Sequence, residues 1–127
     1  MIKIKDGKNN AYFDVDSTLV EWVHVSFLDE HPDRASAIFR LEPAASQYVH
    51  IPIQPHIDEL KRLKAEGATI VVWTQGGSDW AEIVVKALGL EEFVDVCLTK
   101  PSTYFDDLHA DDFMPARRYI GPPRLMG

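Results

Sequence analysis

Gly67-Ala68-Thr69-Ile70-Val71-Val72-Trp73-Thr74-Gln75-Gly76-Gly77-Ser78 is the stretch on which the fold turns. Ala68 to Trp73 carries no charge and no polar alternation, the pattern of a strand buried on both faces of a parallel sheet. Just before it, Ile57-Asp58-Glu59-Leu60-Lys61-Arg62-Leu63-Lys64-Ala65-Glu66 places apolar residues at 57, 60 and 63 with charges between them. That spacing predicts an amphipathic helix, with Gly67 where a C-terminal cap belongs. Just after it, Gly76-Gly77-Ser78 breaks the run, and Ser78 or Asp79 is suited to cap a helix from Trp80 to about Leu88, closed by Gly89. Phe93 to Leu98 reads as the next strand and Thr103-Tyr104-Phe105 as a shorter one. Upstream, Ala11-Tyr12-Phe13 reads as a short strand running into Asp14. Strand, helix, strand, helix, strand, strand is the order of an α/β layer fold with a largely parallel sheet.

Two regions lack this regularity. Residues 19–54 mix β-rich pieces, Trp22-Val23-His24-Val25 and Tyr48-Val49-His50-Ile51, with Pro32 and Pro43, as a hairpin, insert or flap over one edge would. Residues 113–127 hold Pro115, Pro122 and Pro123 and read as a surface tail. No repeat and no Gly/Ser-rich linker divides the 127 residues, so one domain over 1–127 is expected. The net charge of −7 argues against broad nucleic-acid or anionic-membrane binding, which needs a basic face. An apolar fraction of 46% excludes wholesale disorder. One cysteine, Cys97, cannot form an intramolecular disulfide, and no apolar run approaches the length of a signal peptide or membrane span. A cytoplasmic protein is expected.

In open α/β sheets ligands gather beyond the carboxyl ends of the strands, so the residues immediately after each apolar run matter most. Asp14 and Asp16 come after the first, Thr74 after the second, Thr99 and Lys100 after the third, and Asp106 and Asp107 after the last. The two-residue period of a strand puts Asp14 and Asp16 on one side, where they repel unless a cation sits among them. Asp106 or Asp107 would add a further oxygen. Carboxylates with a backbone carbonyl suit Mg²⁺, and no His/Cys grouping suggests zinc. Thr74 and Lys100 are then placed to hold an anion beside the metal, with phosphate the obvious candidate.

These residues resemble the haloacid dehalogenase (HAD) superfamily. Phe13-Asp14-Val15-Asp16-Ser17-Thr18-Leu19 is similar to its first motif, hydrophobic-Asp-x-Asp-Gly-Thr-Leu, with Ser17 in place of Gly. Val72-Trp73-Thr74-Gln75-Gly76 resembles the second, Lys100-Pro101 the third and Tyr104-Phe105-Asp106-Asp107 the fourth. The resemblance implies a three-layer, Rossmann-like (HAD-like) sheet with a small flap after the first strand. It implies a phosphomonoesterase in which Asp14 is the nucleophile that forms an aspartyl-phosphate. Asp16 would be the general acid and base, Thr74 a donor to the phosphoryl group with Gln75 beside it, and Lys100 the neutralising charge. Mg²⁺ would be held by Asp14, the Val15 carbonyl and Asp106, with Asp107 direct or through water and Asp16 alongside. The stretch between Leu19 and Pro55 is short for the cap domain that sets substrate choice in this superfamily. A minimally capped, open site would suit a nucleotide, a polynucleotide end, a sugar phosphate or a phosphoprotein.

Other readings of the same residues are less economical. A calcium EF-hand fails because Leu19 and Val25 occupy the required Gly and Glu positions. A receiver-type phosphoacceptor module has adjacent acids after its first strand, whereas Val15 separates these; a phosphate- and metal-binding module without turnover would not need the full set of side chains. Cys97 reads as core, Asp111 and Asp112 as a charged tail, and His24, His50, His56, Arg34 and Arg40 as ordinary surface. Trp22, Trp73 and Trp80 read as core or crevice wall.

Overall fold

The computed structural model describes residues 9–31 and 48–114. It is an α/β fold whose main sheet contains β1 (Asn10–Phe13), β4 (Thr69–Thr74) and β5 (Val96–Thr99), in the order β1-β4-β5 with both pairings parallel. β4, formed by the central apolar run of the sequence, lies between the other two, and five of its six residues are buried. Helix α2 (Gln54–Ala65) connects the hairpin to β4, and α3 (Ser78–Ala87) connects β4 to β5. Strand order advances in one direction, so two right-handed crossovers put both helices on one face of the sheet. There Ile57 and Leu60 of α2 and Ala81, Val84 and Val85 of α3 share one core with Ile70 and Val72. The opposite face carries Val71 and the Tyr12–Trp73 ring pair, 4.7 Å between centroids. A mostly parallel sheet flanked by helices is the Rossmann-like arrangement expected.

The irregular region after the first strand contains an antiparallel pair, β2 (Val20–His24) with β3 (Tyr48–Pro52), from Val20 opposite Pro52 to His24 opposite Tyr48. One-turn helix α1 (Phe27–Glu30) follows β2, and Val23, Phe27, Val49 and Ile51 form a small core of their own. The insert expected over 19–54 is thus a hairpin flap where it is described; Arg34, Arg40 and the remainder of 32–47 lie outside the described residues, as does the tail beyond Met114. One-turn helix α4 (Ala110–Phe113) includes the positions of Asp111 and Asp112. Among the described residues no helix is long and apolar enough to cross a membrane.

Three local expectations are corrected. α3 is not capped by Ser78 or Asp79: its N-cap is Gly77 at φ 101° and ψ 155°, a backbone conformation that side chains disfavour. The Ser78 N–H instead reaches the Thr99 hydroxyl on the neighbouring strand, 3.0 Å away. β5 starts at Val96 rather than Phe93, because Phe93 and Val94 turn back onto the Leu90 carbonyl. Thr103-Tyr104-Phe105 is not a strand: it is exposed coil, with Phe105 98% exposed.

Asp95 ties the layers together where the sequence showed only a charge. Its carboxylate accepts the Ile70 N–H (2.8 Å) and both its oxygens lie 2.9 Å from Lys64 Nζ on α2, while its own N–H donates to the Ile70 carbonyl (2.9 Å). Burial works to raise its pKa, but the Lys64 ammonium and the Ile70 N–H outweigh it and hold the carboxyl below the ordinary aspartate value. A depressed folded pKa adds stability that is complete above the unfolded value of about 3.9 and is lost as pH falls through the folded value. Asp95→Ala should cost roughly 1–2 kcal/mol in urea unfolding at pH 7, near the lower end for charged hydrogen bonds because the pair is partly solvated. Asp95→Asn should cost less and remove part of the stability loss seen on acidification below about pH 4.

Ser17, where the HAD motif has Gly, sits at φ 64° in the left-handed region. Its N–H donates to the Val20 carbonyl at 2.7 Å, closing the loop between β1 and β2. A side chain in that region costs about 1–2 kcal/mol, partly offset by the greater freedom that glycine has when unfolded. Ser17→Gly should therefore raise unfolding free energy by roughly 0.5–1 kcal/mol.

Candidate active site

Two parallel pairings bring the ends of β1, β4 and β5 to one edge of the sheet. Asp14 follows β1, Thr74 ends β4, and Lys100 follows β5. The Lys100 N–H donates to the Thr74 carbonyl (2.9 Å), prolonging the β4–β5 ladder by one step. This fixes where the lysine leaves the sheet. Its ammonium reaches over the end of β4, 5.9 Å from the centroid of the Trp73 ring, and stops 3.7 Å from Asp14 Oδ1. Both side chains are about one-third exposed, so the pair is open to solvent and to an incoming anion. Its value for stability is small for that reason; its value is positional.

Thr74 is buried between them. Its hydroxyl oxygen accepts the Gly76 N–H at 3.1 Å, and the hydroxyl proton is left to donate elsewhere. Gln75 is exposed on the same turn. Asp16 lies in the loop after Asp14, where one oxygen, Oδ1, accepts two indole N–H groups: Trp22 Nε1 at 2.8 Å and Trp80 Nε1 at 3.3 Å. His56 of α2 pins the same loop, its Nδ1 lying 2.6 Å from the Thr18 carbonyl. A carbonyl only accepts, so Nδ1 carries the proton. Trp22, Trp80 and His56 thus do more than the wall and surface roles their sequence context suggests; a tryptophan six residues after the motif and a histidine opening a helix give no sequence signal of such contacts.

Asp14, Thr74 and Lys100 are gathered at one edge, with Asp16 two residues from Asp14. The Val15 carbonyl, expected to face a metal, accepts the N–H groups of Thr18, Leu19 and Val20 at 3.2, 2.8 and 3.2 Å and is spent inside the loop. Asp106 and Asp107 are on the exposed coil after Pro101. The Leu108 N–H donates to Asp106 Oδ1 at 2.9 Å and, with hydrogen bonding to Asp107, draws the Asp106 carboxyl below its ordinary range. Among the described residues no three His, Cys, Asp or Glu side chains stand together as a metal ion would need. Cys97 packs against the main core, where burial and then Glu82 push its thiol above the ordinary value, as befits a core residue rather than a nucleophile.

No curated protein and no solved structure gave a match to the chain. A family profile did: that of the NLI interacting factor-like phosphatases, over residues 12–112, the span from β1 to the acids of α4. HAD-type phosphatases of this kind generally use Mg²⁺. The match covers most of the chain and contains every residue of the four motifs, so the protein belongs to the NLI interacting factor-like phosphatase family of the HAD superfamily.

Proposed function

We propose that the protein is a phosphomonoesterase that works through an aspartyl-phosphate on Asp14. The observation that carries the reading is the approach of Lys100 to Asp14 across the end of β4, with the Thr74 hydroxyl between the two strands. A carboxylate, an ammonium and a hydroxyl at one open sheet edge suit an anion whose central atom is to be attacked. In this reading an Asp14 oxygen attacks phosphorus, and the P–O bond to the leaving group breaks. Asp16 gives that oxygen a proton, then takes one from the water that hydrolyses the acyl phosphate. Thr74 donates to a phosphoryl oxygen, with Gln75 at the rim, and Lys100 offsets the charge that builds on the transferring group. The substrate class is a phosphomonoester reached through an open edge: a nucleotide, polynucleotide end, sugar phosphate or phosphoprotein. The protein is proposed to act in the cytoplasm.

Steady-state hydrolysis of 4-nitrophenyl phosphate tests the roles directly. Asp14→Asn should abolish turnover, because an amide cannot form the acyl phosphate. Lys100→Met should lower kcat by about 10²–10³-fold, the usual cost of one charge-stabilising group. Asp16→Asn should slow hydrolysis of the intermediate by about 10²–10⁴-fold, allowing acid-quenched mass spectrometry to find phosphate on Asp14. Full activity in a clean Asp14→Asn preparation would refute the nucleophile.

Mg²⁺ dependence forms part of the proposal, supported by the family and by the carboxylate that Asp14 offers at the site. EDTA should abolish activity and Mg²⁺ restore it. Asp106→Ala and Asp107→Ala should raise the Mg²⁺ concentration for half-activity, whereas Asp112→Ala should not change it. Activity that ignores chelation would remove the metal from the mechanism.

A further inference from the structure

Asp16 is held by two parts of the fold that the sequence keeps far apart. Trp22 belongs to β2 of the hairpin flap, and Trp80 to the first turn of α3. Their ring centroids are 5.9 Å apart, and both rings flank His50 of β3, at 4.2 Å from Trp22 and 5.7 Å from Trp80. His50 is buried there rather than at the surface, because its neighbours on both sides are rings. Both indole N–H groups point at the same carboxylate oxygen. Gly76 makes room for this: a Cβ there would come within 3.1 Å of Trp80 Cδ1, so a side chain at 76 would press on the ring. Among the described residues, the other oxygen, Oδ2, accepts no hydrogen bond.

We propose that Trp22 and Trp80 are positioning residues for the proton-transfer step, clamping Asp16 Oδ1 so that Oδ2 faces the reacting oxygen. The inference rests on the phosphomonoesterase reading. An indole N–H is a donor only, so the clamp holds the carboxyl group without competing for its proton. As the bond between phosphorus and the leaving oxygen breaks, that oxygen takes the proton from Oδ2; the incoming water later returns one to it. A carboxyl group free to turn about its last bond would spend much of its time misaligned, and alignment is where an enzyme-bound acid gains over one in solution. The flap thereby contributes to the chemistry as well as bounding the crevice.

Trp22→Phe and Trp80→Phe keep a ring and remove the N–H, and each is assayed beside wild type with 4-nitrophenyl phosphate and with glycerol phosphate. The alkyl leaving group depends on protonation far more than nitrophenolate does. The clamp predicts that each variant loses about tenfold in kcat on glycerol phosphate, a fraction of what general acid–base catalysis contributes, with little change in KM and a smaller loss on 4-nitrophenyl phosphate. Because the indoles act through Asp16, neither substitution should lower activity further in an Asp16→Asn background. If Trp22→Phe unfolds the flap, shown by a lowered thermal midpoint, Trp80→Phe carries the test. Equal losses on both substrates, or the same loss with and without Asp16, would overturn the clamp while leaving the phosphatase reading intact. A wild-type protein without Asp14-dependent activity would instead overturn that reading and the clamp with it.

Discussion

Parallel pairing on both sides of β4 constrains everything else in the described structure. A parallel ladder forces neighbouring strands to point the same way, so β1, β4 and β5 all release the chain at one edge. The apolar sequence of β4 stabilises its central place by burial, and its backbone groups are spent in two ladders. The residue at the end of each strand is then free to be polar, and these ends must converge. Asp14, Thr74 and Lys100 meet because three short strands end together, although two helices and the flap separate the first from the last in the chain. Asp95 reinforces the arrangement from the other end, joining α2 to the start of β4 through Lys64 and the Ile70 N–H.

The loop from Asp14 to Val20 is the second element on which the site depends. Its Val15 carbonyl gathers three N–H groups, Ser17 takes a left-handed conformation, and the Leu19 carbonyl accepts the Ile53 N–H at the far end of the hairpin. Buried Val15, Leu19 and Val20 anchor it in the main core. The alternation of the first motif is therefore that of a turn with apolar roots. The aspartates face outward while the residues between and after them fasten the loop. His56 and the two tryptophans then hold its outer side, so the flap and α3 are coupled to the same few residues as the sheet.

The segment after Pro101 shows where local pattern misleads. Tyr104 and Phe105 favour strands, yet strand propensity expresses packing against neighbours more than a backbone preference. Three residues offer too few ladder bonds to hold a strand without such packing, and here both rings are largely exposed, Tyr104 lying edge-on to Phe113 at 6.3 Å between centroids. Asp106 and Asp107 are consequently carried by exposed coil rather than by the end of a strand. The same principle explains β5, whose apolar pattern begins at Phe93 although the chain there is still turning on Leu90.

Apolar runs, helical spacing and the polar residues at strand ends determined, by themselves, the α/β class, the order β1, α2, β4, α3, β5 and the strand-end positions of Asp14, Thr74 and Lys100, and the resemblance of four short motifs pointed to the superfamily. Those signals are local: hydrophobic period and the residue after a run are set within a few positions, and burial enforces them wherever the element ends up. The tertiary structure alone decided that Trp22, Trp80 and His56 attend the first motif, that Gly77 caps α3 in place of Ser78, and that Asp95 bridges two layers. Each of those contacts joins residues whose chemistry has several equally good partners in the chain. An indole N–H or a carboxylate acquires its one partner only when the packing of the sheet, the helices and the flap has removed the others.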